Sequence, residues 1–246
     1  MSDEQSSSQA LRDASQSRSK FSGHGHSIGA AGYKTLQLHG DECQFLSNSG
    51  NNLTASPPAD GFEEIIIGAA WDNVGKPKGG LLSKILGKNK NAGIDLDLGC
   101  LYEMQDGTVG AVQAFGKLFG NYDKPPYMKL TGDEKTGDAE GLDEQILMNG
   151  KHWPDIRRVL VYIYIYNGAI NWSQVQPQAQ ILIPNEKPMI VTPSTHHSEL
   201  EICAIAEIEN IRNGIKLTNH SEYFPGHAEM DRAFGYGLEW DDGEKS

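Results

Sequence analysis

The chain alternates between short apolar runs and clusters of Gly, Pro, Asn and Asp, and this pattern predicts strands rather than helices. The clearest runs are Phe62–Trp71, Gly93–Glu103, Val109–Phe115, Arg157–Asn167, Gln178–Pro184, Glu199–Arg212 and Gly235–Trp240. Helical periodicity is scarce: Leu81–Leu86 reads as one turn and Ala228–Phe234 as two. Val159 to Tyr166 is apolar on both faces, with Val159, Val161, Ile163 and Ile165 on one side and Leu160, Tyr162, Tyr164 and Tyr166 on the other. Such a segment suits a central strand. Its tyrosine row reads as core whose hydroxyls reach partners, and a binding surface is the alternative. In Glu201–Ile208 the residues Ile202, Ala204, Ala206 and Ile208 share a face, with Glu201 and Glu207 opposite, as expected of a half-exposed antiparallel strand. Many short strands between turn signals predict an all-β fold, a sandwich or barrel. No internal repeat is visible.

Before Tyr33 the pattern disappears. Residues 1–31 hold nine serines, and their sizeable apolar residues are Leu11, Phe21 and Ile28. They cannot bury enough surface to offset their ordering entropy, so a disordered tail is expected over 1–33 and one folded domain over 34–246. His24 and His26 are expected to be solvated tail residues, with transition-metal chelation the alternative.

Charge narrows the function classes. The formal net charge is −12, from 21 basic and 33 acidic residues. A chain this acidic repels phosphate backbones, so nucleic acid is not an expected partner, and cations or basic partners are. The longest apolar run has eight residues, too short to span a bilayer, so no transmembrane segment is expected. No secretory signal is visible. Cys43, Cys100 and Cys203 are odd in number and widely spaced, which suggests no disulfide framework and a cytoplasmic setting.

The candidate chemistry lies in the carboxylates. In Ile94-Asp95-Leu96-Asp97-Leu98 the apolar residues form one strand face and Asp95 and Asp97 the other, roughly 7 Å apart. Aspartate is disfavoured in strands, so the pair asks for a counter-charge, which a divalent cation supplies; a solvent-facing polar pair is the alternative. From Gly132 to Glu144 six acids and one lysine are interleaved with glycines that let the backbone turn back on itself. Converging oxygen ligands without His or Cys suit Ca²⁺ rather than zinc or copper. An EF-hand is excluded: Asp133 and Glu144 are spaced for it, but Lys135 and Gly137 stand where oxygen ligands belong, and Asp138 where the turn glycine belongs.

In order along the chain, Gly68-Ala69-Ala70-Trp71-Asp72, Asp95-Leu96-Asp97 and the Gly132–Glu144 segment resemble the motifs of the TerD-domain family, the calcium-binding stress proteins of tellurite-resistance operons. Trp172-Ser173-Gln174-Val175 and the ending Ala233–Trp240 extend the likeness, the latter to the TerA-like branch, over roughly residues 34–244. The resemblance implies a two-sheet antiparallel β-sandwich with acidic calcium-binding loops. Carried over position by position, its ligands are Asp72, Asp95, Asp97, Asp133, Asp138, Asp143 and Glu144, with Ca²⁺ as the cofactor. It implies a non-catalytic binding or scaffold module, cytoplasmic or membrane-associated through partners, with other operon proteins as those partners, a membrane component among them. Two departures affect the ion count: Leu142 stands where the family has an aspartate, and Glu134 where it has asparagine.

The insertion 75–91, with Lys76, Lys78, Lys84, Lys88 and Lys90, is read as a solvated loop, with an acidic partner or membrane surface as the alternative. It carries no Walker pattern. No nucleophile elbow is present, and His196-His197 read as loop or edge residues. No catalytic residue is assigned. A metal-dependent hydrolase built on the acidic cluster is the alternative function, and it requires an open coordination position and a convergent base.

Overall fold

A computed structural model of the chain describes residues 43–71, 95–131, 144–167, 172, 175, 177–193 and 199–240. The tail read over 1–33, the insertion 75–91, the turn at Leu81–Leu86 and His196-His197 lie outside the described residues. The described part of the chain is built of short strands. In chain order they are β1 (Gln44–Leu46), β2 (Asn52–Ala55), β3 (Glu64–Ala70), β4 (Asp95–Met104), β5 (Val109–Val112), β6 (Gly120–Asn121) and β7 (Met128–Thr131). There follow β8 (Glu144–Asn149), β9 (Ile156–Asn167), β10 (Gln178–Leu182), β11 (Met189–Val191), β12 (Ile202–Ile211) and β13 (Gly214–Phe224), then helix α1 (His227–Phe234).

The strands form two sheets, in the orders β1-β11-β10-β3-β8-β7-β6 and β2-β13-β12-β9-β4-β5. All pairings are antiparallel except β1 with β11, which run parallel. The expected two-sheet β-sandwich is what forms.

Alternation builds the layer between the sheets. Strand β3 sends Ile65, Ile67 and Ala69 inward, β4 sends Leu96, Leu98 and Cys100, and β9 sends Val159, Val161 and Ile163. All are fully buried. Each large aliphatic side chain buried in this way contributes about 1.5–3 kcal/mol. Trp153 and Trp172 fill the ends of this layer, and their indole N–H groups donate to the carbonyls of Gly214 (3.3 Å) and Leu200 (2.6 Å).

The six-stranded sheet is apolar on its outer face too. Leu101, Leu160, Tyr162, Tyr164, Ile202 and Ala204 form a second core there, closed by Met230 of α1 and by Tyr236. Gly99 makes room for it: a Cβ at that position would overlap the Tyr162 ring. The Tyr162 hydroxyl donates to Gln113. The tyrosine row is therefore core at Tyr162 and Tyr164, but Tyr166 is 52% exposed. The register between β4 and β9 shifts there, pairing Asp95 with Asn167 and Leu96 with Ile165, and the extra residue Tyr166 is expelled.

A second bulge, between Ala204 and Ala206, corrects the reading of β12. Ile202 and Ala204 join the outer core, whereas Ala206 and Ile208 join the inner one, because one extra residue flips the face. The strand is not half-exposed, since α1 covers its outer side. Glu207 is drawn in with it and faces Arg158 and His220.

The run Gly235–Trp240, read as a strand, is not one. Its side chains pack on the outer core, but its donors go to a single buried carboxylate. Asp231 accepts from the amides of Gly237 (2.8 Å) and Leu238 (2.7 Å) and from the indole of Trp240 (2.8 Å). Arg158 ties the same region to β9. It donates to the carbonyls of Phe234 (2.9 Å) and Gly235 (3.2 Å) at the helix end, pairs with Glu103 (2.7 Å) and lies 4.1 Å from the Tyr236 ring centroid. Gly235 supplies the left-handed residue (φ 68°) that ends α1.

His227 opens α1 inside an aromatic enclosure. Its ring meets Tyr162 and Tyr164 edge-on at 5.3 and 5.2 Å and stacks on Trp240 at 5.0 Å. Burial pushes its pKa down to about 4. The native state thus holds this histidine neutral where the unfolded chain, near 6.5, protonates it. The resulting stability is complete above pH 6.5 and is lost as pH falls toward 4, to an extent of about 3 kcal/mol at most. Thermal melts at neutral pH and near pH 5 check this: His227→Phe narrows the difference between the two pH values relative to the parent. An equal difference in both proteins would show that other groups carry the acid sensitivity.

Candidate functional site

Three of the seven expected ligands lie among the described residues: Asp95, Asp97 and Glu144. Asp72, Asp133, Asp138 and Asp143 lie outside them. Strand β4 places Leu96 and Leu98 in the inner core and Asp97 toward the outer face, as its alternation predicts. Asp97 is not solvent-facing, however. It is 5% exposed, because it is in register with Tyr164 under the second core. Asp95, paired with Asn167 at the end of the ladder, is half-buried.

Glu144 arrives from the other sheet. It opens β8, is in register with Ala69 of β3 and is 1% exposed. Its carboxylate accepts the Leu98 amide at 2.5 Å. The reason lies in the sheet edge. Strand β5 pairs with β4 along Cys100–Glu103, so upstream of Cys100 that edge of β4 has no strand neighbour among the described residues. A buried amide needs an acceptor, and Glu144 reaches across from the facing sheet to provide one. This brings the Glu144 carboxylate to the residue next to Asp97.

The Tyr164 phenol records the field of both acids. Its pKa is driven far above the ordinary phenol range, first by burial, then by the charge of Asp97, with a smaller contribution from Glu144. Tyr162 is raised as well, mainly by burial, with Asp97 a minor cause. Both phenols are therefore protonated donors at any physiological pH.

Glu144, from one sheet, thus bonds the amide next to Asp97 on the other, and the Tyr164 phenol lies in the field of both acids. Among the described residues no group of three or more His, Cys, Asp or Glu side chains is assembled as a metal cluster. The described donors are hard oxygens, which fits a cation such as Ca²⁺. The end of β3 and the starts of β4 and β8 meet here, and in sequence Asp72 comes two residues after β3 and the acidic segment 132–143 comes just before β8. The Leu98–Glu144 bond had no sequence signal, since its partners are 46 residues apart. The involvement of Tyr164 did have one, in the tyrosine row sharing a strand face.

Reduced sulfur offers no second site. All three cysteines are buried, and none is in a disulfide. Burial pushes the Cys100 and Cys203 thiols up to about 12, which keeps them protonated and poorly nucleophilic.

No protein-family model matches the chain. A tellurium resistance protein TerA from an Alcaligenes species is 39% identical over 207 residues, covering 81% of this chain and 60% of that protein. The chain therefore spans about three-fifths of the length of this relative. Two solved structures are similar at a TM-score of 0.47 and cover 73% of this chain. One is a homologue of the telluride resistance protein TerD from Streptomyces coelicolor, 14% identical and covered in full. The other is a protein of unknown function, 13% identical and 99% covered.

Removing the Glu144 acceptor tests its part in the fold. Glu144→Ala leaves the Leu98 amide without its carboxylate and costs about 1.5–3 kcal/mol in chelator, read as a lower urea midpoint at unchanged slope. Glu144→Gln keeps an acceptor and costs less. Equal losses in the two variants would mean that the amide does not depend on this side chain.

Proposed function

We propose that this chain, which belongs to the TerD-domain family of tellurium resistance proteins, is a calcium-binding module that acts by binding or scaffolding and not by catalysis. The observation that supports this most directly is that two buried carboxylates on different sheets, Asp97 and Glu144, both act on the Tyr164 phenol, with Glu144 bonded to the amide next to Asp97. Two enclosed like charges repel each other, and a cation bound beside them offsets that repulsion. Bound Ca²⁺ is that cation. Asp97 and Glu144 hold it, Asp95 approaches from the margin, and Asp72, Asp133, Asp138 and Asp143 are the further ligands by resemblance.

The hydrolase reading needs a base beside the cation. His227 is the histidine near this region among the described residues, and its ring is packed against Tyr162, Tyr164 and Trp240 rather than held by a polar partner that would make it a base. The scaffold reading fits a protein whose buried thiols and phenols offer no redox chemistry for an oxyanion. Its partners are other proteins of the tellurite-resistance operon, including a membrane component, and its place is the cytoplasm or the membrane surface to which they recruit it. No described helix is long and apolar enough to cross a membrane.

Thermal melting in chelator and in excess Ca²⁺ tests the reading. Binding to the native state alone adds about 2.7 kcal/mol at one hundred times the dissociation constant. For a chain of this size that is a rise of roughly 5–10 °C. Mg²⁺ raises the midpoint less, because it prefers fewer carboxylates and keeps its waters. Asp97→Asn removes most of the Ca²⁺ gain while leaving the chelated protein as stable as the parent or more so. Superimposable melts with and without Ca²⁺ would sink the proposal.

A further inference from the structure

Phe115, Leu118 and Phe119 are 44%, 46% and 45% exposed, three large apolar side chains within five residues. They occupy the connection from β5 to β6, which are the edge strands of the two sheets. The connection is anchored at several points. The Gln113 amide donates to the Leu118 carbonyl and the Leu130 amide to the Phe119 carbonyl, each at 2.9 Å, and the Lys117 amide closes a turn on Ala114 at 3.2 Å. Lys117 takes a left-handed φ of 59°, which a side chain adopts only when its surroundings enforce it. The fold therefore holds these apolar groups outward, where water offers them nothing.

The segment's own charge is opposite in sign to that of the molecule. From Gln113 to Thr131 the chain carries Lys117, Lys124 and Lys129 against Asp123 alone, a local +2 within a chain of net −12. Lys117 lies between the apolar residues, and Lys129 is in register with Gly120 beside them. None of the three lysines forms an ion pair among the described residues. Exposed aromatic rings ringed by unpaired lysines suit the boundary of an anionic bilayer, where the rings sit at headgroup depth and the cations meet lipid charge. A second copy of the chain is disfavoured on this surface, because docking tip to tip sets Lys117 against Lys117. Acids elsewhere on the molecule are screened beyond a Debye length of about 8 Å.

We propose that the Phe115–Phe119 turn docks reversibly on anionic lipid surfaces, inserting Phe115, Leu118 and Phe119 while Lys117, Lys124 and Lys129 contact the headgroups. This docking is independent of the calcium reading, so the test is run in chelator, which removes cation bridging between acidic side chains and lipid. The full chain is sedimented with vesicles of phosphatidylcholine alone and of equal parts phosphatidylcholine and phosphatidylserine. It partitions onto the mixed vesicles at low salt and much less onto phosphatidylcholine. Replacing both Phe115 and Phe119 by Ser lowers that partition by roughly tenfold or more, with an unchanged thermal midpoint because both side chains are exposed. Lys117→Glu lowers it by roughly tenfold and flattens its salt dependence. A parent protein that stays in the supernatant with mixed vesicles overturns the proposal, as does a double-serine variant that sediments like the parent. Concentration-dependent self-association that the serine substitutions abolish, without vesicle binding, overturns it in favour of a second copy on this surface.

Discussion

A strand with bulky apolar side chains on both faces cannot leave either face in water, and β9 is such a strand. One face is covered in the usual way, by the facing sheet. The other needs a cover that a two-layer sandwich does not supply, and α1 with the segment after it provides one. That cover is short and would fray alone, since a helix of eight residues is marginal in isolation. It is held by two polar side chains. Asp231 gathers donors of the last segment, and Arg158, itself on β9, pairs with Glu103 while donating to the carbonyls at the helix end. The strand that creates the need for a cover thus also supplies an anchor for it.

The same constraint sets the character of the acidic end. On an open sheet face Asp97 would project into water, and a carboxylate there would cost little. Here it shares its face with Tyr162 and Tyr164 under the second core and is enclosed with them. Glu144 is enclosed for a different reason: β5 stops short and leaves the Leu98 amide to be met from the opposite sheet. Two independent features of strand length and strand face therefore bring buried carboxylates to one place. Gly99 belongs to the same arrangement, because the ring of Tyr162 takes the space that its side chain would fill.

Much of this was readable from alternation. The two-faced apolar run gave a central strand, Ile94–Leu98 gave the facing of Asp97, and Ala228–Phe234 gave the helix within one residue. What the pattern missed has physical causes. Strand β13 buries Asn219 and Ser221 among polar neighbours, so its alternation is masked; the Asn219 amide group donates to the Leu46 carbonyl and the Ser221 hydroxyl to Asn219. Strands β1, β2, β6 and β11 have two to four residues each, too few for a period to declare itself. The bulges in β9 and β12 are single-residue events whose signal exists only in the pairing. Gly235–Trp240 has a strand's composition, but its donors had a nearer acceptor in Asp231. Of the acids on β4, Asp97 was legible in place and facing, whereas the burial of Glu144 followed from an edge that sequence does not reveal.

Tyr164 joins these parts. Its ring belongs to the second core and meets the edge of His227 at the start of α1, while its phenol lies in the field of Asp97 and, more weakly, of Glu144. Tyr162 and Trp240 complete the enclosure around His227. The acidic end and the seat of the helix therefore meet at one side chain. The two ends of this contact are coupled through a single phenol, and the coupling follows from placing an aspartate and a tyrosine in register on a strand face that the fold had to bury.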